Sequence, residues 1–142
     1  MITAQELMTA DPVTVSTTTK VRAAARILHD LDIRHLPVVD ELGALVGMLS
    51  DRDLRGLSVP YLIGDEHAGN IQTVLDATVA TIMTGAVLSV DSEADAAEIV
   101  DLMLDNRIGA VPVIDGDGKL VGIVSYVDLL RELPLEDAGA PG

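Results

Sequence analysis

Shifted by 75 positions, the 142-residue sequence falls onto itself without a gap, and this duplication decides what the chain can fold into. Met8-Thr9 meets Met83-Thr84, Val15 meets Val90, and Asp30 and Ile33 meet Asp105 and Ile108. Pro37-Val38 and Asp40 meet Pro112-Val113 and Asp115, and Gly43 meets Gly118. Leu45-Val46-Gly47, Ser50 and Asp53-Leu54 meet Leu120-Val121-Gly122, Ser125 and Asp128-Leu129. Chance does not place so many Gly, Pro and Asp residues in register.

Each copy reads as a small α/β unit. Val13-Thr14-Val15, and Val87 to Val90 in the second copy, form a short apolar alternation suited to an edge strand. A helical stripe follows at Val21, Ala24, Ala25 and Leu28, mirrored at Ala96, Ile99, Val100 and Met103. Ser92 and Asp95 have the spacing of a capping box before the second stripe. Leu36-Pro37-Val38-Val39 and Val111-Pro112-Val113-Ile114 read as strands that begin at a proline, where a missing donor is tolerated. Turns are expected at Asp40-Glu41-Leu42-Gly43 and Asp115-Gly116-Asp117-Gly118. The runs Ala44 to Leu49 and Leu120 to Val124 are then buried strands, and Ser50 and Ser125 open closing helices. Between the copies, Ser58 to Gly69 reads as loop and Asn70 to Ile82 as helix. The expected division is a first repeat over 1–60, a helix-bearing linker over 61–80, a second repeat over 81–133 and a frayed tail over 134–142.

Composition narrows the function. With 49% hydrophobic and 23% charged residues the chain is globular. It has no Cys, which excludes disulfides, thiol nucleophiles and Cys-ligated zinc. A formal charge of -14 argues against nucleic acid and anionic membranes as partners. No apolar run approaches the roughly 20 residues of a spanning helix, and the start lacks a basic, apolar leader. The expectation is a soluble, cytoplasmic protein. His29, His35 and His67 lack metal-ligand spacing, and no Ser-His-Asp set, Walker loop or Gly-x-Gly-x-x-Gly is present. Neither an enzyme nor a metal site is expected.

In their order of elements the two copies resemble the CBS domain, the module named after cystathionine β-synthase. The resemblance rests on the Met-Thr start, the Pro-Val strand ending in Asp and the Leu-Val-Gly-x-x-Ser-x-x-Asp-Leu close, and covers about 6–57 and 81–133. It implies a mixed α/β (α+β) fold of two tandem repeats packed sheet to sheet with pseudo-twofold symmetry, a stand-alone Bateman module. It further implies clefts between the repeats that take AMP, ADP or ATP, less often S-adenosylmethionine, with no obligatory cofactor. Such pairs usually form homodimers, for which Leu102, Met103 and Leu104 could supply an apolar helix face.

The closing motif has two compatible readings. Ser50 and Ser125 sit where a strand passes into a helix, so their hydroxyls and nearby N–H groups can hold a phosphate. Asp53 and Asp128, at positions that bind ribose in the family, can accept from its 2′- and 3′-hydroxyls. Equally, Ser-x-x-Asp is a capping pattern that satisfies orphan N–H groups. Gly47 and Gly122 would leave the strand end open to a ligand. By the same resemblance Thr14 and Ser89 lie where backbone atoms read the adenine edge, or are exposed strand residues. Met48 and Ile123 line the base pocket, or are core. With no Phe or Trp and two Tyr, such aliphatic walls would have to grip a flat ligand.

Charge separates the copies. Through residue 57 there are six basic against eight acidic side chains; beyond it, three against fifteen. Arg34-His35, where relatives place phosphate contacts, become Gly109-Ala110 in the second copy, and Arg52 becomes Val127. Unequal clefts follow, one suited to a di- or triphosphate and the other to a less charged adenosyl group. Arg22, Arg26 and Arg55 read as solvated helix faces. The leading expectation is a regulatory sensor of adenine nucleotides acting on an unidentified protein target. The alternative is a non-catalytic interaction or dimerisation protein with degenerate clefts; a metal- or redox-responsive module is a third, weaker idea.

Overall fold

The computed structural model describes residues 2–55 and 68–132. In chain order the elements are α1 (Ala4–Leu7), β1 (Thr9–Ala10), β2 (Val15–Ser16), α2 (Val21–Asp30), β3 (His35–Val39), β4 (Leu45–Ser50) and α3 (51–55). They continue with α4 (Ala68–Asp76), a 3-10 turn (Val79–Thr81), α5 (Ala96–Asn106), β5 (Ala110–Ile114), β6 (Leu120–Ser125) and α6 (Tyr126–Glu132). The linker helix is thus shorter than the expected 70–82, ending at Asp76. The tail expected from Pro134, and the expected loop as far as residue 67, lie outside the described residues. Among the described residues, no helix is long and apolar enough to cross a membrane.

The compact units do not coincide with the sequence copies. One comprises residues up to Asp11 together with those from Leu88 onward; the other runs from Pro12 to Val87. The first holds a sheet of order β1-β6-β5, the second a sheet of order β2-β3-β4. Thr9 and Ala10 of the first copy pair antiparallel with Ile123 and Gly122 of the second. Reciprocally, Thr84 exchanges backbone hydrogen bonds of 3.0 and 2.9 Å with Met48. Each sheet therefore receives its outer segment from the other copy, so the compact units cut across the sequence repeats. The short helical turns before the exchanged segments go with them: Ala4 in α1 and its counterpart Val79 are both fully buried.

Each unit has its own core. Ala24 and Leu28 of α2 cover Leu36, Val38 and Leu49, while Ile99 and Met103 of α5 cover Val111, Val113 and Val124. The cap of α5 is Asp95 alone, whose side chain accepts from the Glu98 N–H at 2.9 Å. Ser92 lies one turn too early to cap a helix that begins at Ala96, and its carbonyl accepts from the Gln5 N–H instead. Nor do Leu102, Met103 and Leu104 share a face: Met103 is core at 7% exposure, Leu102 packs against it, and Leu104 is 71% exposed. Consecutive helical residues diverge by about 100°, so three in a row cannot make one apolar stripe.

The strands β3 and β5 start two residues before their prolines rather than at them. Pro37 stands opposite Met48, whose own N–H and carbonyl turn away to Thr84, so the missing donor breaks no bond with β4. The hairpin turns form as expected. Asp40 Oδ1 accepts from the Leu42 and Ala44 N–H groups, and Asp115 Oδ1 from those of Asp117 and Lys119. Gly43 and Gly118 close these turns at φ +86° and +80°, where a side chain would be strained. The backbone donors of Lys119 and Asp117 hold the Asp115 carboxyl below its ordinary value.

Candidate functional site

In the unit built on β2-β3-β4, sheet register gathers the predicted residues at one end of the hairpin. His35 pairs directly with Ser50, and Pro37 with Met48. Because side chains alternate along a strand, His35, Pro37, Met48 and Ser50 share the face opposite Leu36, Val38 and Leu49. Met48 is accordingly buried yet stands apart from the helix-covered core. Val15 pairs parallel with Val38, which brings the backbone of Thr14 level with Pro37; Thr14 is exposed and precedes the strand rather than belonging to it.

Ser50 ends β4 and its motif caps α3 reciprocally. Ser50 Oγ accepts from the Asp53 N–H at 3.2 Å, and Asp53 Oδ2 accepts from the Ser50 N–H at 2.8 Å. Oδ1 of Asp53 takes no hydrogen bond from the described residues. Arg34 and Arg52 flank this box. Asp51, which the motif reading missed, lies between cations: its Oδ2 is 3.8 Å from Arg34 and 3.5 Å from Arg55. The i, i+4 spacing of Asp51 and Arg55 was the available signal. Both pairs are solvent-exposed and contribute little stability, so Arg34 is readily recruited by another anion. Arg22, read as a solvated residue, instead ties α2 to α4 through Gln72 and Asp76 at 2.9 and 3.1 Å.

His35 reports this environment. Burial first, then Arg52 and Arg34, hold its imidazole below the ordinary 6.5, against the opposing pull of Asp53 and Asp51. The unfolded chain therefore binds this proton more readily. Stability from His35 is complete above pH 6.5 and is lost as the pH falls from there through the lower folded-state value. A melting temperature that declines below pH 6.5 is expected, with a shallower decline in His35→Gln. Equal slopes in the two proteins would contradict a half-buried imidazole held below its ordinary value.

The counterpart unit repeats the frame without the cations. Ala110 pairs with Ser125 and Pro112 with Ile123, and Val90 bridges Val113 so that Ser89 lies level with Pro112. Ser125 Oγ donates to Asp128 Oδ2 at 3.1 Å, and the Ser125 N–H donates to the same oxygen at 2.8 Å. Thr9 Oγ1, unforeseen from the motif, donates to Asp128 Oδ1 at 3.4 Å. The Met-Thr pair that opens each copy was its only trace in the sequence.

The open glycine notches are corrected. A side-chain carbon at Gly47 would collide with the Met83 thioether, and one at Gly122 with Met8. The exchanged segment fills the space that was expected to admit a ligand. Among the described residues, no group of three or more His, Asp or Glu could hold a metal ion.

Two copies of one motif, each capping a helix at the end of a Pro-Val hairpin, match the CBS domain family over residues 4–59 and 79–135. The chain belongs to the CBS domain family. Among relatives, the Bacillus subtilis protein YlbB is 36% identical over 140 residues, covering 96% of this chain and 86% of that one. A crystal structure of CBSX2 in complex with AMP superimposes with a TM-score of 0.78 at 29% identity, covering 92% of this chain and 95% of the other. The CBS domain pair of protein MJ0100, in complex with 5-methylthioadenosine and S-adenosyl-L-methionine, gives 0.75 at 27% identity, covering 92% and 94%. The mixed α/β architecture is thus that of a tandem CBS pair.

Proposed function

We propose that this CBS pair is a non-catalytic regulatory module that binds an adenine nucleotide, with its principal seat at the first copy's Ser50–Asp53 motif. The observation that carries the reading is the gathering of Arg34, His35 and Arg52 around that capping box. Each part of a nucleotide meets suitable chemistry. Arg34 and Arg52 supply charge-assisted donors for phosphate. Asp53 Oδ1, which takes no hydrogen bond from the described residues, can accept from a ribose hydroxyl, and Met48 and Pro37 offer an apolar surface beside the Thr14 backbone for the base. The AMP held by CBSX2 supports this ligand class.

The second copy keeps Ser89, Ile123, Ser125 and Asp128 but has Gly109, Ala110 and Val127 where the first has Arg34, His35 and Arg52. That motif therefore holds a phosphate less tightly and suits a less charged adenosyl group better, as the S-adenosyl-L-methionine and 5-methylthioadenosine of the MJ0100 pair illustrate. Signalling requires that the ligand favour one conformation over another, shown to a protein target or within a cytoplasmic homodimer. An interaction protein without a ligand is the second reading. It is favoured by Asp128, 9% exposed and bonded inward, and by the exposed apolar residues Tyr126, Val127 and Leu130 on α6.

A thermal-shift titration with AMP, ADP, ATP, S-adenosylmethionine and GMP separates the two. A ligand at a hundred times its Kd adds about 2.7 kcal/mol, which moves the midpoint of a chain this size by several degrees. Adenine compounds are expected to raise the midpoint and GMP to leave it unchanged. A flat response to all five at millimolar concentration would replace the sensor by the interaction protein.

A further inference from the structure

We infer that Thr9 is a built-in competitor for the second motif, so that the chain carries one open nucleotide seat and one latched one. The inference rests on the proposed nucleotide reading and deepens it, because it names the residue that makes the two motifs unequal. Charge distinguishes what each motif attracts; the Thr9 contact distinguishes whether the carboxylate is available at all.

An ionised carboxylate offers about four acceptor directions, and a ribose cis-diol needs two of them. Among the described residues, Asp53 spends one, on the Ser50 N–H. Asp128 spends three: Ser125 N–H and Ser125 Oγ both converge on Oδ2, and Thr9 Oγ1 reaches Oδ1 at 3.4 Å. The remaining direction cannot serve both hydroxyls. Burial follows the same division, since Asp128 is buried and Asp53 is half-exposed.

The difference comes from the exchanged segments. Thr9 pairs with Ile123 in β1–β6, two residues from Ser125. Its counterpart Thr84 holds the equivalent place beside Met48, two residues from Ser50. The two backbones are equivalent, but among the described residues Asp53 accepts from Ser50 alone. A long hydroxyl–carboxylate contact is weak enough for a ligand to displace it. Thr9 therefore acts as a latch and not as a permanent block, and the second motif takes ligand only after the first.

The test is a calorimetric titration of the full chain with AMP, comparing the unaltered protein with Thr9→Val, Thr9→Ser and Thr84→Val. The unaltered chain is expected to take its first AMP at least about tenfold more tightly than any second. Thr9→Val, which keeps the shape and removes the hydroxyl, is expected to tighten the second event about tenfold, the worth of one such hydrogen bond. Thr9→Ser keeps the hydroxyl, and Thr84→Val touches no carboxylate, so both are expected to match the unaltered chain. If Thr9→Val fails to fold, Thr9→Ala opens the same oxygen and is read in the same way. Two equal events in the unaltered chain, or no tightening on removing the hydroxyl, overturn the latch and leave the nucleotide reading standing. No AMP uptake by any of the proteins overturns both.

Discussion

Gly47→Val is expected to destabilise the unit formed by Pro12 to Val87 by about 3 kcal/mol, the upper range for forcing extra carbons into a packed site. The side-chain carbon has no free space, because the Met83 thioether already lies against the strand at Gly47. Met83→Ala alone is expected to cost about 2 kcal/mol through lost burial and the void it leaves. Combined, the two changes should compensate, valine occupying the volume that methionine vacates. A double-mutant cycle would then show a favourable coupling of at least about 1 kcal/mol, read from denaturant midpoints. Simple additivity would mean that Met83 does not sit in the Gly47 notch, and the exchanged segment would be wrongly placed. The same experiment on Gly122 and Met8 examines the other unit independently.

Asp53→Ala is expected to weaken AMP binding about a hundredfold. A charged hydrogen bond is worth roughly 1.5–3 kcal/mol, and the proposed ribose contact falls to Asp53 Oδ1, which takes no hydrogen bond from the described residues. The same change also removes a cap, which costs about 1 kcal/mol of stability, because Oδ2 holds the Ser50 N–H at 2.8 Å. Asp53→Asn separates the two effects. It retains an oxygen for the cap and loses the charge, so stability should recover more fully than affinity. Affinity unchanged in both variants would remove ribose recognition from this residue and leave capping as its whole role. Asp128→Ala is expected to do the reverse. Its carboxylate is bonded inward by Ser125 and Thr9, so stability should fall more than AMP affinity.

Much of this architecture was legible because it is local. The 75-residue repeat places every element twice, so a weak signal in one copy is checked by the other. Helix stripes at Val21, Ala24 and Leu28 and the Asp-x-x-Gly turns follow from spacing and from the φ that Gly43 and Gly118 adopt. The Ser-x-x-Asp motif was read both as a cap and as a nucleotide seat. The cap is realised twice, and Arg34 and Arg52 lie near the first of them.

The exchange of segments was not legible. Thr9-Ala10 and Thr84 are too short to carry a strand signal of their own, and which sheet edge they join is decided by partners far away in sequence, Ile123 and Gly122 for the first and Met48 for the second. The consequences travelled with that error. Gly47 and Gly122 look like room for a ligand until Met83 and Met8 arrive from the other copy, and Thr9 is invisible as a partner of Asp128 for the same reason. Asp51 was missed because Arg52 and Asp53 drew the motif reading past it, although its pairing with Arg55 is an ordinary helical spacing. The apolar triplet Leu102 to Leu104 failed on geometry alone, since neighbours in sequence point in different directions on a helix.

The most direct test of the nucleotide seat is a crystal structure of the chain grown with AMP. The account predicts the ribose hydroxyls against Asp53 Oδ1, the phosphate among Arg34, His35 and Arg52, and the base beside Met48. AMP bound with its ribose at Asp128 and the first motif empty, or no AMP bound at millimolar concentration, would contradict it.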